Sequence, residues 1–189
     1  MDGEKRNAMR QLHGPLTIPK VDEPYPPIKV LEPNSRYARI LLDSYSGVVS
    51  EMTAINMYLY HHFDAEATLP EFADVVEGVA IVEMHHLEIL AKLIILLGGD
   101  PRYFGSDGTW WSGRFVDYFT GEPCMQIDAD IRAEQAAIKG YRLAIIEIDD
   151  PYVQAMLQRI IKDEQLHLDL FTELFNTYCL KRDKVRGQT

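Results

Sequence analysis

Six residues of this chain have the types and spacing to hold two divalent cations: Glu51, Glu83, His86, Glu134, Glu164 and His167. Four of them form two Glu-x-x-His pairs, Glu83-Met-His-His86 and Glu164-Gln-Leu-His167. Side chains three apart on a helix are roughly 5–6 Å apart, so each pair can grip one ion. Four carboxylates carry −4 and two M²⁺ ions carry +4, so the charges balance. The mixed oxygen and nitrogen donors suit iron or manganese, with zinc as a substitute.

The elements that carry these residues read as helices. Around Glu51 the same face holds Ile40, Ser44, Val48, Ile55 and Tyr58; around Glu83 it holds Val76, Val79, Ala80, Leu87 and Leu90. Around Glu134 come Ile127, Ile131, Ile138 and Tyr141, and around Glu164 come Leu157, Ile160, Leu168 and Phe171. This is the 3.6-residue period of amphipathic helices. Carboxylates buried on such stripes without partners cost several kcal/mol each. The stripes offer no lysine or arginine to match them, so cations are the natural remedy.

Two further features predict that the six meet. The middle of the first turn lies near residue 66, so Glu51 is 15 residues before it and Glu83 is 17 after. Glu134 is 16 before Asp150, and Glu164 is 14 after it. In antiparallel hairpins, at ~1.5 Å per residue, all four glutamates fall at nearly one height. The hairpins also repeat each other. Glu51 and Glu134 both begin E-x-x-A-I-x-x-Y, ending at Tyr58 and Tyr141, and Glu83 and Glu164 both begin E-x-x-H-L. A pseudo-twofold axis between the hairpins would gather all six.

In chain order, residues 1–33 hold six prolines and predict an extended arm lying on the bundle or on a partner subunit. Residues 34–180 form the bundle and 181–189 a polar tail. Asn34-Ser35 can cap a first helix running to about Phe63. A second starts near Pro70 and stops at Gly98-Gly99-Asp100-Pro101. Residues 98–121 predict a long crossover that Trp110 and Trp111 pin to the bundle. A third helix runs from Glu122-Pro123 to about Asp149, and a fourth from Pro151 to about Tyr178.

Composition narrows the function. At 189 residues and net charge −10 the chain suits one domain without a nucleic-acid partner. No apolar run reaches membrane-span length and no signal-peptide core follows Met1, so cytoplasmic residence is the default. Cys124 and Cys179 form no Cys-x-x-Cys and read as small packed residues.

On these motifs residues 34–178 resemble the ferritin-like di-metal carboxylate superfamily, with rubrerythrin-like and bacterioferritin-like branches nearest and manganese catalases sharing the frame. The resemblance implies an all-α, up-down-down-up four-helix bundle with a long crossover between helices 2 and 3. It implies Glu51 and Glu134 as terminal or bridging carboxylates, Glu83 and Glu164 as bridging ones, and His86 and His167 on one ion each. The implied chemistry is reaction of a di-iron or di-manganese centre with H₂O₂ or O₂ as peroxidase, catalase or ferroxidase, the electron donor being undefined. The competing reading is a metal-storage or coat-type structural protein. A homo-oligomer, dimer or larger, is expected. Where rubrerythrins carry a further glutamate this chain has Ala137, and no rubredoxin domain can be built. Met84 matches the haem-binding methionine of bacterioferritins; packing is preferred and haem is not expected. Tyr58 and Tyr141 could hydrogen-bond ligand carboxylates, Asp130 could draw cations inward or stand at a solvated bundle end, and His61 and His85 read as surface or helix-interface residues.

Overall fold

The computed structural model describes residues 16–180. Five helices carry the fold: α1 (Ser35–Ser46), α2 (Glu51–Ala65), α3 (Pro70–Leu96), α4 (Pro123–Glu147) and α5 (Pro151–Tyr178). Together α1 and α2 make the first arm of an all-helical, ferritin-like four-helix bundle; α2 packs on α3, and α4 on α5. The helix starts follow local chemistry. The Asn34 side chain accepts from the Arg36 and Tyr37 amides, and Asp150 from those of Tyr152 and Val153. Pro70, Pro123 and Pro151 occupy first helical positions, where a missing amide costs nothing.

The single first helix expected over residues 34–63 is broken at Gly47–Ser50. Gly47 turns out of the helix with an extended ψ of −166°, and a Cβ there would lie 2.6 Å from the Asp43 carbonyl oxygen. Ser50 then starts the chain again as a new cap, accepting from Thr53 N. Glu51 therefore sits in the first turn of α2, where the helix dipole favours a carboxylate.

The crossover meets the first helical arm first at α1 and then along α2. Ser106 bonds Asp43, the Phe104 carbonyl takes Ser46 Oγ, Trp111 donates to Thr53 Oγ1, and Gly121 N reaches Asp64. It thus returns along the bundle to the end where α3 began, so α4 runs parallel to α3. Trp111 is the pinning tryptophan. Trp110 stays exposed and packs edge-on against Phe104 within the crossover.

Two apolar blocks form the core. One gathers Leu41, Leu93, Ile148 and Leu157; the other gathers Phe72, Val76, Ile127 and Phe171. Buried carboxylates and imidazoles lie between them. Cys124 and Cys179 were expected to be plain packing residues. They instead form a disulfide between the start of α4 and the end of α5, with Cα atoms 5.7 Å apart. Their distance in sequence hid the pairing, because antiparallel helices bring the two ends together only after folding. No described helix is long and apolar enough to cross a membrane.

Candidate metal centre

All six sequence-identified residues are buried and meet in one cluster. Ligand-type atoms of Glu51, Glu83, His86 and Glu164 lie within 4.8 Å of one another, as do those of Glu83, Glu134, Glu164 and His167. Glu83 and Glu164 belong to both groups. Glu83 turns Oε2 to His86 Nδ1 at 2.8 Å and Oε1 to His167 Nδ1 at 3.0 Å. Glu164 does the same, with Oε1 at 3.1 Å from His86 and Oε2 at 3.3 Å from His167. Glu51 flanks His86 and Glu134 flanks His167, each at 3.8 Å. The arrangement is two ligand sets sharing two carboxylates.

Both imidazoles point Nδ1 inward because Nε2 is engaged outside. The Pro19 carbonyl accepts from His167 Nε2 at 2.9 Å, so that nitrogen carries the hydrogen. Nε2 of His86 faces Asp163 Oδ2 at 3.2 Å, and Tyr25 donates to the same oxygen at 2.5 Å. Both Pro19 and Tyr25 belong to the extended arm. Buried Arg159 ties the arm down by donating to the Val21 and Glu23 carbonyls and pairing with Asp163 at 2.8 Å. Val21 N also donates to Asp163. The arm needs Gly78 of α3: a Cβ there would stand 2.2 Å from the Thr17 carbonyl oxygen.

On the opposite side the tyrosines cross over. Tyr58 of α2 donates to Glu134 of α4 at 2.5 Å, and Tyr141 of α4 donates to Glu51 of α2. Burial and the nearby Glu134 push the Tyr58 phenol well above its usual range.

Among the protein groups alone, charge in the cluster is frustrated. Burial, then Glu83 and Glu164, raise Glu51 and Glu134 well above the ordinary carboxylate range. Burial also opposes ionisation of Glu83, but His167 and His86 outweigh it and hold that carboxyl low. Burial opposes charging of the histidines, yet Glu164 beside His86 and Glu83 beside His167 raise both well above the usual imidazole value. Glu83 Oε1, Glu164 Oε1 and His167 Nδ1 face neighbouring cluster atoms at 3.0–3.3 Å without a well-directed hydrogen bond. Buried polar atoms left this way call for a partner, and the donor set, four carboxylates and two imidazole nitrogens, fits divalent cations.

Other residues singled out from the sequence partly follow that reading and partly depart from it. His61 was expected at the surface or a helix interface; it is fully buried at an interface. Its Nδ1 lies 2.8 Å from Asp130 and its Nε2 2.8 Å from the Asp117 carbonyl oxygen. Asp130 is buried too, so it is neither at a solvated bundle end nor among the cluster ligands. His85 is half-exposed beside Tyr25. Met84, expected to pack, is 44% exposed, because its position on α3 faces outward. The sequence reading missed Asp163, Arg159, Tyr25 and Pro19. The first two carried a signal: Asp163 directly precedes Glu164, and Arg159 stands one turn before Asp163.

The fold and the buried cluster together define the class. Residues 47–179 match the ferritin-like domain family, and the chain belongs to it. It is related to a probable manganese catalase of Clostridium acetobutylicum, 25% identical over 170 residues, covering 79% of this chain and 74% of the relative. A solved manganese catalase from Anabaena PCC7120 shares the fold with a TM-score of 0.76 at 24% identity, over 83% of this chain and 78% of that one. The bacterioferritin of Desulfovibrio desulfuricans, whose structure shows a diiron site, matches with a TM-score of 0.63 at 26% identity, over 75% of this chain and 78% of that one.

Proposed function

We propose that this chain holds two ions of iron or manganese and reacts with H₂O₂ or O₂. The observation that carries the reading is the sharing of Glu83 and Glu164 between two otherwise separate ligand sets. Each set has one histidine and one further glutamate of its own: His86 with Glu51, and His167 with Glu134. When bound, the ions would supply one electron each to an oxidant or cycle between oxidation states.

The chain's own residues do the rest. Pro19 and Asp163 fix the imidazoles so that only Nδ1 faces inward. Tyr141 and Tyr58 hold Glu51 and Glu134 by one oxygen each, leaving the other free to bind. Ala54 and Ala137 keep bulk away from the side opposite the arm, and a cavity reaches the glutamates there. A purely structural site would more naturally be closed by further side chains, so the open side favours turnover over storage or a coat role.

The test is to load the metal-free chain anaerobically with Fe²⁺ or Mn²⁺, measure the ions bound, then add H₂O₂. Two ions per chain and peroxide loss faster than with the same free ions are expected. Failure of both metal forms to consume peroxide or O₂ would overturn the reading.

A further inference from the structure

The opening to the cluster is far larger than peroxide requires. A cavity of about 580 Å³ lies between the first helical arm and α4. One water occupies about 30 Å³, whereas pockets for organic ligands run to about 300–1,000 Å³. Its α4 wall extends from Ala129 to Glu147, about 27 Å of helix at 1.5 Å per residue. That wall is built from small side chains, Ala133, Ala136, Ala137, Gly140 and Ala144, so the volume is space that side chains leave unfilled. Nothing lies within 4 Å of where a Gly140 Cβ would stand. At the floor are Glu51, Glu134 and Glu164; the buried Glu164 Oε1 lies 3.1 Å from His86 Nδ1 but is not in hydrogen-bonding orientation to it. Val48 and Leu143, both more than half exposed, edge the mouth. The exposed charged lining residues, Asp43, Asp117, Arg132 and Glu147, belong to the mouth, while Ser50, Thr53, Tyr58 and Tyr141 add buried polar atoms beside the glutamates. The α4 wall between mouth and floor is mostly apolar, which suits a molecule that is largely an apolar chain with a polar end.

We propose that this cavity binds an apolar organic molecule, an alkyl chain with a small neutral oxygen-bearing head group, and presents that head to Glu51 and Glu134. The inference deepens the reading of the site given above by naming its substrate class, and resting on that reading for its chemistry it is tested by binding alone. The chain lies along α4 against Ala133, Ala137 and Gly140. The arm closes the histidine side, so the head meets the carboxylate side of the cluster.

The experiment uses the full chain, metal-free and metal-loaded, with the neutral fluorophore N-phenyl-1-naphthylamine as probe and n-alkanols from butanol to dodecanol as competitors. One probe per chain is expected, displaced by alkanols that tighten roughly three- to fourfold per methylene. Gly140→Phe and Ala136→Phe, one turn apart on the same wall, are each expected to weaken probe and alkanol binding tenfold or more. Gly140→Phe adds a side chain where there is room and replaces a poor helix former, so its circular dichroism and melting curve report whether it folds. Ile146→Ser removes an 80% exposed side chain outside the cavity and is expected to leave probe binding unaltered. The proposal is overturned by absence of saturable binding, by affinity independent of alkanol length, or by equal loss in Ile146→Ser. It is also overturned if light scattering shows that a second copy covers the groove and excludes the probe. Metal uptake with peroxide consumption but no probe binding defeats this inference alone; probe binding without metal uptake defeats the metal-centre reading instead.

Discussion

Tyr58 and Glu134 are joined across the bundle by a 2.5 Å hydrogen bond, and Tyr141 returns the gesture to Glu51. Each tyrosine therefore serves the glutamate of the other hairpin, although in sequence each sits two turns after its own. Tyr141→Phe is expected to weaken the ion on the Glu51 and His86 side, and Tyr58→Phe the ion on the Glu134 and His167 side. Loss of such a supporting bond typically lowers metal affinity about 10–100-fold. Competitive titration against a chromogenic chelator would read it, and equal weakening of both ions in both variants would contradict the crossed pairing.

Acid and base should act oppositely on the empty and loaded chain. In the empty chain burial and neighbouring carboxylates raise Glu51 and Glu134, so above the unfolded value of 4.5 the folded chain binds more protons than the unfolded one. Their contribution is lost as pH rises. His86 and His167 are raised as well; their contribution is complete below 6.5 and is lost as pH rises through their folded values. Glu83 is lowered and works the other way, losing its contribution as pH falls. Above pH 4.5 the Glu83 contribution is constant, so the four raised groups predict a melting temperature that falls as pH rises from about 4.5 through the neutral range for the metal-free chain. Metal binding needs ionised carboxylates and neutral imidazoles, so loading should release protons and the loaded chain should weaken towards about pH 4.5. Calorimetric melts of both forms would check this; parallel slopes would contradict it.

The arm should matter to the site although its described residues, 16–33, form no helix. Gly78→Val places side-chain atoms where the Thr17 carbonyl runs, which forces residues 17–19 away and removes the partner of His167 Nε2. Leaving that nitrogen buried and unpaired costs about 1–3 kcal/mol. The expected outcome is weaker metal binding with helix content kept, measured by chelator competition and circular dichroism. Tyr25→Phe should act more mildly, because Asp163 keeps Arg159 and Val21 N.

Reducing the Cys124–Cys179 bond should destabilise the chain. The cross-link spans 55 residues, and loop-closure entropy for that length is worth about 4 kcal/mol in the chain-entropy model. Cys179→Ser, or wild type in dithiothreitol, should show a lower denaturation midpoint in urea. An unchanged midpoint would mean that packing alone holds those ends. Disulfides are typical of oxidising compartments.

The helices and the inward glutamates were legible because both are periodic: a 3.6-residue repeat and an internal duplication leave marks in one dimension. The break at Gly47 was not, since Val48 and Val49 continue an apolar pattern and the helix ends only through the local turn at Gly47 and the Ser50 cap. The arm's contacts were invisible for a different reason. Pro19 acts through its backbone carbonyl, which every residue has, so no side-chain pattern could mark it. The His61–Asp130 pair escaped because His61 lies off the ligand stripe and only the packing of α2 against α4 joins it to Asp130. Arg159 is the instructive case. The faces were read as lacking cations, yet a buried arginine is present and its charge is matched by Asp163 rather than by a ligand glutamate.

Sharing Glu83 and Glu164 between two ligand sets has a consequence for how the protein responds to scarcity. On the proposed two-ion reading, a first ion would order both shared carboxylates, and the ordering a second ion needs would then already be in place, so its affinity would rise. Filling would be cooperative. In metal-poor surroundings a population of these molecules would divide into empty and full ones, and the fraction of working molecules would follow metal supply as a steep switch instead of a gradual slope.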